Sequence, residues 1–213
     1  MKELYFIRHG QTEWNAIRRM QGQWNSDLSA LGRDHAEVNG RFLKDMGIKY
    51  MVASPLDRTR QTADIINRYL QIGYDVDERL KEWHCGEWSG EMWADLPHKW
   101  PVEFAAWQAD QFYYRGPGAE NYPDMIARST PLLDSILTSQ FDKIAIVSHG
   151  MIGRAMVGTL LAMTPKAMLS FSQTNDTVFR LTLGSVAATN SSTFQTAHYI
   201  AGNGPFGGLP MRL

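Results

Sequence analysis

Three short apolar runs, each cut off by a polar turn and followed by helical periodicity, constrain the fold of this chain more than any other feature. Leu4-Tyr5-Phe6-Ile7 stops at Arg8-His9-Gly10, Tyr50-Met51-Val52-Ala53 stops at Ser54-Pro55, and Ile144-Ala145-Ile146-Val147 stops at Ser148-His149-Gly150. A continuous apolar run of four residues is what a strand buried on both faces requires. Strand, turn and helix repeated in this order imply parallel strands. The expected fold class is therefore α/β, a three-layer sandwich with a mostly parallel central sheet and helices on both faces. A helical and loop-built cap should cover the C-terminal ends of the strands.

The helices are legible from caps and spacing. Ser29 is placed to cap a helix from Ala30 to Met46, with Gly47 as its stop. Ser54 and Pro55 read as N-cap and first residue of a helix through Leu70. Further helices are expected over Tyr122 to Leu137 and Met151 to Ala162, a strand over Val178 to Leu183, and another over Phe194 to Ile200. The glycine-rich stretch from Gly202 to Gly208 reads as loop or frayed end. No repeat or low-complexity linker divides the chain, so residues 1–213 are expected to form one domain, with 83–120 as a cap-like insertion.

That insertion holds five of the seven tryptophans between Trp83 and Trp107. Trp93, Trp100 and Trp107 are seven apart and would share one side of a continuous helix, packing cap on body. A sharper expectation is that some of Trp83, Trp88 and Trp93 line an entrance and favour an apolar or aromatic leaving group.

In open α/β sheets ligands bind beyond the carboxyl ends of the strands. The three turns bring Arg8, His9, Arg58 and His149 toward that crevice, while the whole chain balances 21 basic against 22 acidic residues for a net charge of −1. Global charge thus gives no reason to expect nucleic acid or a membrane surface as partner. The local concentration of cations points to a phosphate. Arg58 falls in the first turn of its helix, where the macrodipole disfavours a cation, and a bound anion would offset that cost. Pairing of Arg58 with Asp57 or Asp64 is the plainer reading.

Other chemistries fit poorly. A single cysteine, Cys85, allows no intramolecular disulfide, and the sixth residue after it is Glu91 rather than the arginine of a cysteine phosphatase. The six histidines are scattered and show no ligand spacing, so no metal and no cofactor are expected. No dinucleotide fingerprint or P-loop occurs, and no run is long enough to span a membrane. A reducing, cytoplasmic setting is expected, and a homo-oligomer is compatible with the sequence.

The residues that follow these turns carry a family resemblance. Arg8-His9-Gly10-Gln11-Thr12-Glu13-Trp14-Asn15, Gln21-Gly22 and Leu28-Ser29-Ala30-Leu31-Gly32 begin it. Ser54-Pro55-Leu56-Asp57-Arg58-Thr59-Arg60-Gln61-Thr62-Ala63, Glu82 to Gly90, Pro117-Gly118-Ala119-Glu120 and Ser148-His149-Gly150 continue it in order. Together they resemble the histidine phosphatase, or phosphoglycerate mutase-like, superfamily, closest in pattern to its broad-specificity phosphatases. The resemblance implies a phosphomonoester hydrolase acting on small phosphorylated metabolites. His9 would be the nucleophile and Glu82 the general acid, a carboxyl whose protonated form Trp83 and a bound dianion favour. Arg8, Arg58 and His149 would hold the phosphoryl oxygens, with Asn15, Gln21, Gly22 and Gly150 as further substrate contacts.

Two alternatives remain beside that reading. A cofactor-dependent phosphoglycerate mutase needs a tighter lid, and the 67 residues from Glu82 to His149 lack the insertion associated with mutases. Gly86-Glu87-Trp88-Ser89-Gly90 also looks more like the phosphatase form, although Ser89 and Ala119-Glu120-Asn121 depart from the usual pattern. A catalytically silent phospho-ligand binder would be expected to lose the nucleophile or the acid, and this chain keeps both.

Overall fold

The computed structural model describes residues 1–184 and the backbone of 194–200. In chain order it contains β1 (Lys2–Arg8), α1 (Glu13–Ala16), α2 (Ala30–Leu43), β2 (Tyr50–Ala53), α3 (Asp57–Leu70) and β3 (Asp75–Val76). There follow α4 (Leu96–Lys99), α5 (Pro101–Ala109), α6 (Tyr122–Thr138), β4 (Lys143–Ser148), α7 (Gly150–Leu160), α8 (Pro165–Ser170), β5 (Val178–Leu183) and β6 (Phe194–Ile200). The sheet order is β3-β2-β4-β1-β5-β6. β3, β2, β4 and β1 run parallel to one another, and β5 and β6 add an antiparallel edge.

The apolar runs behave as their composition demands. Successive side chains of β1 enter different cores: Leu4 and Phe6 face a core with α6, α7 and α8, while Tyr5 and Ile7 face one with α2 and α3. β4 splits the same way, Ile144 and Ile146 against Ala145 and Val147. Both faces are therefore covered, which is why neither strand alternates polar with apolar.

Several element boundaries differ from expectation. α2 starts at its Ser29 cap, whose hydroxyl accepts from Gly32 N at 3.1 Å, but ends at Leu43. Met46 N instead bonds Leu43 O at 3.0 Å, so Met46 belongs to a tight turn before Gly47, whose φ is +73°. α6 runs one residue beyond Leu137, and α7 covers Gly150 to Leu160 rather than Met151 to Ala162. The larger correction is at α3, whose N-cap is Leu56 rather than Ser54 and which has no side-chain cap. The Ser54 hydroxyl is turned inward instead, 2.7 Å from His149 Nε2. The expected strand over Phe194 to Ile200 is β6, and the Gly202 to Gly208 stretch lies outside the described residues.

The tryptophans do not form one helical stripe. The helix breaks at Trp100, with φ −132° and ψ 62°, so α4 and α5 are separate pieces and Trp93 precedes both. Trp93 and Trp107 still meet, their ring centroids 5.8 Å apart. Trp83, Trp88 and Leu96 share a core cluster with Leu4, Phe6 and Ile146, so the 83–120 segment packs as part of the body's own interior.

Candidate active site

The site is built where β1, β2 and β4 end. His9 follows β1, is 3% exposed, and has its backbone held from two sides: its N–H donates to Ser148 O at 3.0 Å, and Asn175 Nδ2 donates to its carbonyl at 2.7 Å. Its Nδ1 lies 2.8 Å from Gly10 O. A carbonyl can only accept, so Nδ1 carries the proton and Nε2 keeps a lone pair. Burial, then the charges of Arg58 and Arg8, hold the ring's pKa well below its ordinary 6.5. His9 is neutral and in the tautomer a nucleophile needs.

Close backbone approach makes this loop possible. A Cβ on Gly10 would fall 2.0 Å from Gly32 O, and one on Gly32 would fall 1.9 Å from Gln11 O. The two glycines let the start of α2 press against the turn that carries His9.

The arginines are held by neutral groups. Arg58, the second residue of α3 and 1% exposed, donates Nη1 to Trp24 O and Nη2 to Gly22 O, both at 2.7 Å. Its Nε donates to His9 Nε2 at 3.2 Å. No ion pair joins it to Asp57 or Asp64 among the described residues; Asp64 accepts from the Tyr74 hydroxyl. Burial lowers the Arg58 pKa to about 10, which leaves it charged at neutral pH. Arg8 donates Nη1 to Gln173 O at 2.8 Å, and its buried Nε has no partner. Carbonyl acceptors orient these cations without neutralising them, so their charge remains for a guest. Arg58 still lies in the first turn of α3 with Leu56 as N-cap, so the macrodipole cost inferred from sequence persists.

A cavity of about 210 Å³ opens above His9. Arg8, His9, Asn15, Gln21, Gly22, Arg58, Glu82 and Gly150 all line it. His149 is the predicted residue that does not. Its ring is fully buried against His9, edge-on with centroids 5.2 Å apart, and its Nδ1 has no partner. Burial and then Arg58 push its pKa well below 6.5, so it too is neutral. Asn15 Oδ1 accepts from Thr12 N at 3.2 Å in the capping box of α1, leaving its NH₂ as the group free to donate. Gly22 has φ +52°, and a Cβ there would sit 2.3 Å from Cys85 Sγ.

Glu82 forms the opposite wall. One carboxylate oxygen accepts from Trp83 N at 2.9 Å and Ile152 N at 3.0 Å, the other from Met151 N at 3.2 Å. The carboxylate thereby satisfies the first turn of α7, whose N-cap His149 makes no side-chain bond.

Sequence reasoning missed Arg19 and Arg154 as lining residues. Arg154 donates Nη1 to the Tyr122 hydroxyl at 2.9 Å, and its buried Nε is unpartnered. Arg19 donates to Gly90 O at 2.7 Å and lies 4.7 Å from the Trp14 ring centroid. The signal for Arg154 was available, because Gly150 and Arg154 stand four apart and so share a helix face. Four arginines and one carboxylate line the cavity, which makes it a receptor for anions. Of the predicted tryptophans, Trp83 and Trp93 line it, whereas Trp88 is 1% exposed and packs in the core. Among the described residues no three His, Cys, Asp or Glu side chains gather to hold a metal, and no helix is long and apolar enough to cross a membrane.

Comparison with known proteins gives a consistent result. Residues 4–191 match the family model of the histidine phosphatase superfamily, branch 1. The glucosyl-3-phosphoglycerate phosphatase of Mycolicibacterium vanbaalenii is 33% identical over 171 residues, 76% of either chain. The probable phosphoglycerate mutase GpmB of Erwinia tasmaniensis is 34% identical over 172 residues, 78% of either chain. A mycobacterial glucosyl-3-phosphoglycerate phosphatase solved in complex with VO3 superposes with a TM-score of 0.81 at 29% identity, covering 92% of this chain and 96% of that one.

Proposed function

The chain belongs to branch 1 of the histidine phosphatase superfamily, and we propose that it hydrolyses small phosphomonoesters through a phosphohistidine formed at Nε2 of His9. Phosphomonoester hydrolysis is the activity its phosphatase relatives carry. The observation that carries the residue assignment is the state of His9: neutral, with Nδ1–H committed to Gly10 O and Nε2 facing the arginines.

The reaction then proceeds in two displacements. Nε2 attacks phosphorus, the bond to the leaving oxygen breaks, and Glu82 in its protonated form gives that oxygen its proton. Arg8 and Arg58 take up the charge that spreads over the equatorial oxygens. In the second step Glu82, now ionised, removes a proton from water, the resulting oxygen bonds phosphorus, and the P–N bond returns its electron pair to His9. The ring of His149 packs edge-on against that of His9 and supports it, 5.2 Å between centroids.

The substrate reading follows from charge. Arg19 and Arg154 line the cavity without an acidic partner among the described residues, so the leaving group bears an anionic substituent, as a phosphorylated sugar acid does. Two of the relatives above are named for phosphatases of glucosyl-3-phosphoglycerate, which supports this class. Trp93 at the wall offers an apolar face to the rest of the leaving group. On this reading the setting is cytoplasmic, and 83–120 walls the cavity through Trp83 and Trp93 while its Trp88 and Leu96 pack into the core.

A rapid quench with radiolabelled substrate tests the proposal. An acid-labile phosphoenzyme should appear in the wild type and vanish in His9→Ala, with activity reduced on the order of 10³-fold or more. Hydrolysis surviving in His9→Ala would overturn it. Assay of a phosphometabolite panel with and without 2,3-bisphosphoglycerate separates hydrolysis from phosphoryl return to a sugar acid, the reaction named for the GpmB relative.

A further inference from the structure

The Pro117-Gly118-Ala119-Glu120 run has no role in the reaction above, yet Glu120 meets the segment carrying Glu82 from several directions. Its carboxylate accepts His84 N at 2.9 Å, its backbone N–H donates to His84 O at 2.8 Å, and its carbonyl accepts from the Trp83 indole. Arg128 on α6 completes the arrangement. Its Nε and Nη2 donate to the two Glu120 oxygens at 2.8 and 3.0 Å, and its Nη1 donates to the carbonyls of Arg79 at 2.8 Å and Lys81 at 3.0 Å.

These bonds bracket Glu82. Lys81 O is held on one side and His84 N on the other, while Glu82 itself sits between them with a carboxylate that must reach Met151 N and Ile152 N. The segment has no long helix or strand of its own: a 3₁₀ turn at Glu78–Leu80 precedes it and another at Gly86–Trp88 follows. Its backbone conformation must therefore be set from outside. α6 is seventeen residues long and packed along one side of the sheet, so Arg128 ties the segment to a rigid element. A bidentate arginine fixes direction as well as distance, because both partners are planar. Arg128 and Glu120 side chains are 22% and 20% exposed, shielded enough for the geometry to be held.

We propose that Glu120 and Arg128 form a clasp that positions Glu82 for proton transfer, making both positioning residues for catalysis. The clasp touches neither the phosphoryl group nor His9. Its loss should shift Glu82 by a fraction of an ångström while leaving Arg8 and Arg58 on their own carbonyl anchors, and proton transfer is the step most sensitive to such a shift. This rests on Glu82 as the proton donor.

The test is the dependence of kcat/KM on the leaving group in Arg128→Lys and Glu120→Gln, with Glu82→Gln as reference. An alkyl phosphate needs its leaving oxygen protonated, and nitrophenolate does not. In both clasp variants kcat/KM for the alkyl ester should fall about tenfold, that for 4-nitrophenyl phosphate less than about twofold, and competitive inhibition by inorganic phosphate should not change. Adding Arg128→Lys to Glu82→Gln should cost nothing further, since the clasp acts through the missing acid. Equal losses for both esters, a further loss in the double variant, or full activity with only a lowered Tm would overturn the clasp. A flat leaving-group dependence in Glu82→Gln itself would remove the proton-donor role and the clasp with it. A steep dependence there beside a flat one in the clasp variants would remove the clasp alone.

Discussion

The floor of the cavity and its wall solve opposite electrostatic problems by the same means. On the floor, Arg8 and Arg58 are oriented by the carbonyls of Gln173, Gly22 and Trp24. On the wall, Glu82 is oriented by the amides of Trp83, Met151 and Ile152. Ion pairing between floor and wall would have satisfied both with fewer groups. It would also have cancelled the charge available to a phosphate and tied up the carboxyl proposed to exchange a proton. Arg128 shows the contrast within one residue type, since its guanidinium is spent on Glu120 and backbone carbonyls outside the cavity. A backbone dipole can aim a charged side chain and leave its charge available, whereas a countercharge cannot.

The comparison can be broken most forcefully at Arg58. Arg58→Ala should lower kcat/KM by about 10²- to 10³-fold for every ester, because it removes a stabiliser of transition-state charge. It should also lower Tm, since the Gly22 and Trp24 carbonyls lose their donors at about 1–3 kcal/mol for each acceptor left buried. Steady-state kinetics on alkyl and aryl esters, with a thermal melt beside them, checks both. A loss confined to alkyl esters would mean that floor and wall do not divide the work as described.

Glu82→Gln probes the other side. Its expected loss is about 10²-fold in kcat/KM for alkyl phosphates and small for nitrophenyl phosphate. Uniform loss across a leaving-group series would assign Glu82 to capping α7 rather than to proton transfer.

Within the wall the tryptophans sharpen the division between packing and contact. Trp88→Ala should destabilise the fold by about 3–5 kcal/mol in denaturant titrations, as a buried ring removed from the core would. Trp93, 38% exposed, should cost far less on truncation. Trp93→Ala should instead change the ratio of kcat/KM between an aryl and a sugar phosphate by about threefold to tenfold. An unchanged ratio removes Trp93 from substrate selection.

The smallest effect concerns pH. His9 and His149 are buried neutral with pKa values well below 6.5, so at pH above 6.5 native and unfolded chains carry the same number of protons on them. Below 6.5 the unfolded chain binds protons that the native chain refuses, and stability falls as pH falls. Each ring contributes at most about 1.4 kcal/mol per pH unit in that window. The slope of unfolding free energy between pH 6.5 and 5.5 should decrease by up to that amount in His149→Gln. An unaltered slope would mean that His149 is already charged in the native state.

Much of this site was readable because strand ends announce themselves. A run such as Leu4 to Ile7 must be buried, and the residues that interrupt it must lie at the sheet's edge, so Arg8 and His9 were placed by hydrophobicity alone. Arg154 escaped because its helix was identified for other reasons, and Arg19 because it lies in the connection after α1 with no periodicity to place it; only folding carries the two to the same cavity. Ser54 misled for a related reason. A serine before proline is a good cap by local chemistry, but its hydroxyl serves a histidine 95 residues away. The spacing of seven among Trp93, Trp100 and Trp107 held no information about a helix that breaks at its middle member.

The order of apolar runs and turn residues determined an α/β sheet, the end of it that binds, and the anionic character of what is bound. Those properties follow from periodicity and residue type, which are local. Tertiary structure alone decided which nitrogen of His9 carries its proton, that His149 packs against His9 rather than lining the cavity, and which arginines keep their charge unspent. The first and the last depend on which backbone carbonyl lies within about 3 Å of a side-chain nitrogen, and the second on a ring contact and the Ser54 hydroxyl. Such distances join residues far apart in the chain, and no pattern along the chain records them.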